Sequence, residues 1–305
     1  MPPGPGHCDR GPWGIRFEGM PPLATRDSRL GTLFVVATPL GNLEDLTQRA
    51  IRVLREVPLV AAEDTRRARK LLNHLDAKPR LVSYHAHSDD GRLESVVAHI
   101  LNGEDVALVS DAGTPAVSDP GAALVQAVRD AGGTVVPVAG PSAVAAAVSA
   151  SGIAGERFLF LGFLPRKGPE RARLLRQASS SEWTLVFYEA PHRLRELLAD
   201  LADVMGEGRR AMVARELTKL HEELRAGPLE ELLAHWTETE PRGECTVVVE
   251  GTGREATVPA DPDEARRLAR DLLDAGRSRR ETARDVAERT GLSRNEAYRL
   301  VMELA

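Results

Sequence analysis

The stretch SDAGTPAVSDPG, Ser110 to Gly121, carries two Ser-Asp pairs, two prolines and two glycines in twelve residues. Glycine lets a backbone approach a ligand closely, and proline holds it there. Serine, threonine and aspartate add hydroxyls, carboxylates and helix caps. Three other segments are built alike: ATPLGNLED (Ala37 to Asp45), AAEDTRR (Ala61 to Arg67) and VAGPSAV (Val138 to Val144). None of them is GxGxxG or GxxxxGK[ST], so the usual dinucleotide site and the triphosphate site both lose support. Singly, Asp111, Ser118 and Ser142 read as turn and N-cap residues. Together the four loops point to a binding cleft.

Each loop follows an apolar run. The runs Thr32 to Ala37, Val57 to Ala62, Arg80 to His85, Asp105 to Ser110 and Gly133 to Val138 read as strands. Between them, Leu46, Ala50, Val53, Leu54 and Val57 share one helical face, as do Leu93, Val96, Val97 and Ile100. Strands alternating with helices predict a largely parallel sheet covered on both sides, with ligands at the carboxyl ends of its strands. Past the small-residue helix Pro141 to Gly152 come further strands, Arg157 to Leu164, Thr184 to Glu189, Arg210 to Glu216 and Glu244 to Gly251. The expected division is an N-terminal α/β domain over 31–145 and a second α/β domain over 146–252. A linker over 253–264 leads to a helical tail over 265–305.

In the tail, Thr282 to Thr290 reads as a helix and Gly291-Leu-Ser as a turn. Ser293 and Glu296 have the spacing of a capping box before the next helix, as in a helix-turn-helix. Residues 1–30 are rich in Pro and Gly, lack periodicity and read as a flexible extension. The formal net charge of −5 gives no global signal for nucleic acid. Local patches still count. PRKGPERARLLRQ sets Arg166, Lys167, Arg171, Arg173 and Arg176 against Glu170, a local net of +4 that suits phosphate. Arg277, Arg279, Arg280 and Arg284 form a second basic cluster. Cys8 and Cys245 lack metal-ligand spacing and fit a reduced, cytoplasmic protein. No apolar run approaches the ~18 residues of a membrane span.

ATPLGNLED, AAEDTR, SDAGTPAVSDPG, PVAGPSA, GFLPRKG, YEAPHR and ARELTK, in that order, resemble the ribosomal RNA small subunit methyltransferase I family. That family lies in the tetrapyrrole-methylase fold class. The resemblance covers about residues 31 to 252, and the tail resembles the family's helix-turn-helix appendage. It implies S-adenosylmethionine as cofactor, folded in a cleft between two α/β domains, in a homodimer without metal. It also implies methylation of the 2′-hydroxyl of one cytidine in 16S ribosomal RNA, near the decoding centre on the assembled small subunit. Carried over residue by residue, the cofactor contacts are Thr38, Pro39, Gly41 and Asn42, then Asp111, Gly113, Thr114, Pro115, Val117 and Ser118, then Pro141, Ser142 and Ala143. Tyr188, Ala214, Leu217 and Thr246 would line the second-domain side. The first loop reads TPLGN where tetrapyrrole methylases usually carry GxGxGD, which favours the RNA branch.

A ribose hydroxyl needs a base within hydrogen-bond reach, worth about 10²–10⁴-fold. Asp111, Glu63, Asp64, Glu189 and Glu216 are the candidates, with Lys219 behind them. His192 and Arg193 open a helix and could meet RNA phosphate. Two other functions fit parts of the sequence. One is a small-molecule methyltransferase acting on a tetrapyrrole. The other is a ligand-sensing regulator that binds DNA through the tail.

Overall fold

The computed structural model describes residues 30–85, 90–153, 156–252, 262–290 and 294–304. The expected extension up to residue 29, most of the linker, and the Ser293 and Glu296 side chains of the capping box lie outside the description.

The first five apolar runs form β1 (Thr32–Val36), β2 (Leu59–Ala62), β3 (Arg80–Ser83), β4 (Val106–Val109) and β5 (Thr134–Val138). All pair in parallel, in the order β3-β2-β4-β1-β5. The helices between them are α1 (Gln48–Glu56), α2 (Thr65–His74), α3 (Asp90–Leu101) and α4 (Ala122–Asp130). Ala50, Val53 and Leu54 of α1 and Leu72 of α2 pack on one face of the sheet. Val96 and Ile100 of α3 and Leu124 and Val128 of α4 pack on the other. Fully burying such a side chain contributes roughly 1.5–3 kcal/mol, which is why these two stripes fix the helices on opposite faces. The chain therefore leaves β1 toward one face and β4 toward the other. These strands are neighbours, so the topological switch point lies between their carboxyl ends, where open α/β sheets bind ligands.

The second sheet contains β6 (Phe158–Phe163), β7 (Thr184–Glu189), β8 (Arg210–Arg215), β9 (Glu223–Pro228) and β10 (Cys245–Val249), in the order β6-β7-β10-β8-β9. Only β6 and β7 are parallel; β10 runs antiparallel to both β7 and β8. The sequence reading missed β9. Its segment ELRAGP has no apolar alternation, and its pairing with β8 alone makes it an edge strand. Helices α6 (Pro169–Ser179), α7 (Leu194–Met205) and α8 (Leu229–Glu238) cover one face around Trp236 and Phe187.

The other face is covered by α5 (Ala143–Ala150), whose Val144 and Ala147 pack on Val186, Met212 and Val248. The expected boundary between 145 and 146 thus falls inside a continuous helix. Because α5 buries its apolar face on the second sheet, the division belongs before Ala143. The tail is three packed helices, α9 (Pro262–Asp274), α10 (Arg279–Thr290) and α11 (Arg294–Leu304), around Ala269, Val286, Ala297 and Val301. Residues 262–264, expected in the linker, are already helical. No helix among the described residues is long and apolar enough to cross a membrane.

Candidate active site

At the switch point the loops after β1 and β4 are zipped together. Thr38 N–H donates to the Gly113 carbonyl at 2.8 Å, and Gly113 N–H donates back to Thr38 at 3.0 Å. The buried Thr38 hydroxyl also donates to the Ser110 carbonyl at 3.2 Å. Thr114 Oγ1 donates to the Pro141 carbonyl at 3.1 Å, which joins the β4 loop to the β5 loop. Ala116 and Ser118 take positive φ angles of 66° and 58°, an uncommon conformation for residues other than glycine. Such strain clusters at functional sites.

Two contacts tie this edge to the second sheet, and each requires a glycine. A Cβ on Gly41 would stand 2.1 Å from Cγ of Lys219, whose stem lies across the β1 loop. A Cβ on Gly162 would stand 2.8 Å from the Ser118 hydroxyl oxygen. Between the two sheets lies a cavity of about 300 Å³. Asp111, Gly113, Thr114, Val117 and Ser118 form its wall on the first sheet, with Ser142 and Ala143 beside them. Tyr188 and Thr246 form part of the opposite wall.

The remaining expected cofactor residues stand elsewhere. Thr38, Pro39 and Gly41 border a smaller cavity of about 240 Å³ beside Arg67 and Lys70 of α2, and Asp111 is common to both cavities. Asn42 caps a short helical turn by accepting from Glu44 N–H at 3.0 Å. Pro115, within the loop after β4, is buried and does not border the cavity. Pro141 supplies its carbonyl to Thr114, as above. Ala214, on β8, is buried in the cluster under α5, and Leu217, in the loop that follows β8, packs against the same cluster; neither borders the cavity, which corrects their expected place.

The candidate bases separate by their partners. Asp111 Oδ1 accepts from Asp64 N–H at 3.1 Å, and Oδ2 lies 3.3 Å from Arg67, so both oxygens tether the start of α2. Asp64 is the N-cap of α2, and hydrogen bonds from Arg66 hold its carboxyl at about 2. Burial works against Glu216, but the Lys219 ammonium at 2.7 Å more than offsets it and holds the carboxyl below its ordinary value. Glu189 borders the cavity yet is only 1% exposed. One of its oxygens accepts from Ala190 N–H at 2.9 Å, and the other lies 3.3 Å from Arg193. Burial raises its carboxyl, as it does that of Glu63, which the Asp111 charge raises further.

Asp119 was not among the expected residues, although it closes the second Ser-Asp pair. It borders the cavity. Burial, joined by the Glu63 and Asp111 charges, pushes its carboxyl up to about 6 against a hydrogen bond from the Ser110 side chain. It has no ion-pair partner among the described residues. Phe163 and Glu244, also unexpected, border the cavity too. Phe163 is apolar and Glu244 follows an ordinary turn, so neither carried a sequence signal. Among the described residues the cavity is bordered by four carboxylates, Asp111, Asp119, Glu189 and Glu244, and by no lysine or arginine.

The basic segment is only partly available. Arg171 is 5% exposed. Its guanidinium donates to Asp200 at 2.7 Å and to the Pro165 carbonyl at 3.0 Å, so it faces inward rather than toward phosphate. Arg193 is likewise largely buried and donates to the Leu164 carbonyl at 2.9 Å. Both are corrected from surface cations to internal struts. Arg173 pairs with Glu170 at 2.6 Å. Arg166, Lys167, Arg176 and His192 remain exposed.

The family model for tetrapyrrole (corrin/porphyrin) methylases matches residues 32–233. Proteins named ribosomal RNA small subunit methyltransferase I are similar over most of the chain. That of Pseudomonas aeruginosa is 46% identical over 276 residues, 90% of this chain and 97% of its own. That of Synechocystis is 43% identical over 275 residues, 90% and 99% of the two chains. This chain belongs to the ribosomal RNA small subunit methyltransferase I family. Solved structures show the shared fold at lower identity. A uroporphyrin-III C-methyltransferase from Thermus thermophilus in complex with S-adenosyl homocysteine aligns with TM-score 0.54 at 21% identity, over 72% of this chain and 97% of its own. A diphthine synthase aligns with TM-score 0.57 at 15% identity, over 72% and 89%.

Proposed function

We propose that this family member transfers the methyl group of S-adenosylmethionine to a ribose 2′-hydroxyl of a cytidine in 16S ribosomal RNA, near the decoding centre of the assembled small subunit. The observation that carries the reading is the cavity at the switch point, bordered among the described residues by four carboxylates and by no lysine or arginine. S-adenosylmethionine brings an electrophilic methyl on a sulfonium, together with a cationic ammonium. An acidic, half-enclosed pocket favours such charges.

The chain's own residues have three tasks. The zipped Thr38–Gly113 loops and the Ser142 cap offer rigid main-chain groups, and alignment of this kind can supply about 7–11 kcal/mol. Tyr188 gives the cavity an apolar wall. Asp119 is the base by elimination: Asp111, Asp64 and Glu216 are committed to cations or main-chain groups, Glu189 is buried with Arg193, Glu244 lies 3.4 Å from the Lys219 ammonium, and Glu63 does not border the cavity. Its carboxyl at about 6 is ionised at neutral pH yet basic enough to accept the ribose proton. The sulfonium already activates the methyl, so the reaction needs no metal. Exposed Arg166, Lys167 and Arg176 supply the cations for RNA phosphate. The protein works as a homodimer in the cytoplasm, and light scattering checks the dimer.

The test is a methyl-transfer assay with tritiated S-adenosylmethionine and small subunits from cells lacking the enzyme, followed by nucleoside analysis. Label in 2′-O-methylcytidine is the expected result. Label in a base, or none in RNA, would end this reading.

A further inference from the structure

Phe163 is 54% exposed although it borders the cavity and closes an otherwise apolar strand. Its direction comes from a register shift between Phe160 and Gly162 of β6. With unbroken alternation Phe163 would share the face of Leu161, which packs into the core under α6 and α7. The extra residue instead pairs Phe163 with Tyr188, on the cleft side. The Phe163 ring lies 5.6 Å from the Tyr188 ring, which is itself edge-on to Phe160 at 4.8 Å. One side of an exposed ring is thus held by an aromatic row, beside the opening of the cavity.

The next residues supply charge. Arg166 and Lys167 are exposed, and neither forms an ion pair among the described residues. The main chain before them is braced at its carbonyls: Arg193 donates to Leu164 at 2.9 Å, and Arg171 donates to Pro165 at 3.0 Å. Asp200 and Glu189 balance these two guanidiniums at 2.6 and 3.3 Å. Burying charge to hold two loop carbonyls is costly for a connection that only turns the chain. The bracing fixes a ring and two cations in one relation to the cavity.

We infer that Phe163 is the stacking surface for the base of the nucleotide being methylated, and that Arg166 and Lys167 hold its neighbouring phosphates. This rests on the RNA methyl-transfer reading above. An unstacked nucleotide offers a π-face and flanking charge, and proteins take it by aromatic stacking with basic side chains. A stacked base beside the cavity brings its own ribose to the methyl donor's edge.

The experiment compares Phe163→Leu and Phe163→Trp with the wild type, using small subunits from cells lacking the enzyme. Leucine keeps apolar bulk but has no π-face. Phe163→Leu is expected to raise KM for subunits roughly 5- to 150-fold, with calorimetric affinity for S-adenosylmethionine unchanged. Phe163→Trp is expected to restore KM, and its indole emission should be quenched on adding subunits. Replacing Arg166 and Lys167 by alanine should lower the salt dependence of subunit binding by about one per phosphate lost. An unchanged KM in Phe163→Leu overturns the inference. So does a loss confined to cofactor affinity, which would give the ring to the cofactor, or dimer dissociation at unchanged KM. Should the wild type bind subunits without methylating them, weaker binding by Phe163→Leu would keep the stacking surface and remove the methyl-transfer reading.

Discussion

Replacing Asp119 by asparagine should make the protein more stable and less active at the same pH. The carboxyl stands at about 6 in the fold against an ordinary 3.8. At about 1.36 kcal/mol per pKa unit, that displacement corresponds to about 3 kcal/mol. Asp119 is partly open to solvent, and screening reduces the figure to about 1–2 kcal/mol. The sign follows from linkage: the folded state binds this proton more tightly than the unfolded chain. Its favourable contribution is complete below about 3.8 and is lost as pH rises through about 6. At pH 7.5 the wild type therefore carries the full penalty of an ionised, crowded carboxylate, and Asp119→Asn removes it. Denaturant titration at pH 7.5 should show the variant more stable by about 1–2 kcal/mol, and the gain should vanish near pH 4. Methyl transfer should fall by about 10²–10⁴-fold in kcat, with cofactor affinity little changed. The acid limb of the wild-type kcat/KM profile near pH 6 should disappear. A variant less stable than wild type at pH 7.5, or one with wild-type turnover, would refute the assignment.

Gly113 has φ +79°, and a Cβ there would stand 3.4 Å from Leu40. Gly113→Val should therefore lower calorimetric affinity for S-adenosylmethionine at least tenfold, since the branched side chain strains the loop and enters the cavity. Arg171→Ala should cost about 3 kcal/mol of stability, because it leaves Asp200 and the Pro165 carbonyl without their partner. Arg166→Ala should leave stability unchanged and reduce the salt dependence of RNA binding instead, so the pair separates strut from surface cation. Asp64→Ala removes the N-cap of α2 and should lower the melting temperature slightly at unchanged kcat, which a steady-state assay checks against its candidacy as base.

Much of the architecture was legible because its signals are local. The apolar runs at β1, β2 and β4 and the helical stripe Ala50, Val53, Leu54 lie within a few residues of one another, and the cavity-lining loop after β4 was marked by its Gly, Pro and Asp content. The strand β9 was not legible, since an edge strand paired on one side needs no apolar alternation. The basic segment after Pro165 was misread in part. Composition gave five cations, but helix spacing turned Arg171 inward, and its partner Asp200 comes from α7.

The sequence by itself determined the alternating elements, the glycine and proline loops at their ends, and the order of motifs that marks the family. Each depends on side chains within one turn or one strand. Only the tertiary structure decided which acids border the cavity, which of them stands without a cation among the described residues, and where the Phe163 ring points. The Asp119 carboxyl responds to Glu63, Asp111 and burial together. The ring follows from a register shift against β7. Desolvation, Coulomb energy and strand register are sums over groups far apart in the chain, and they acquire values only when the fold brings those groups together.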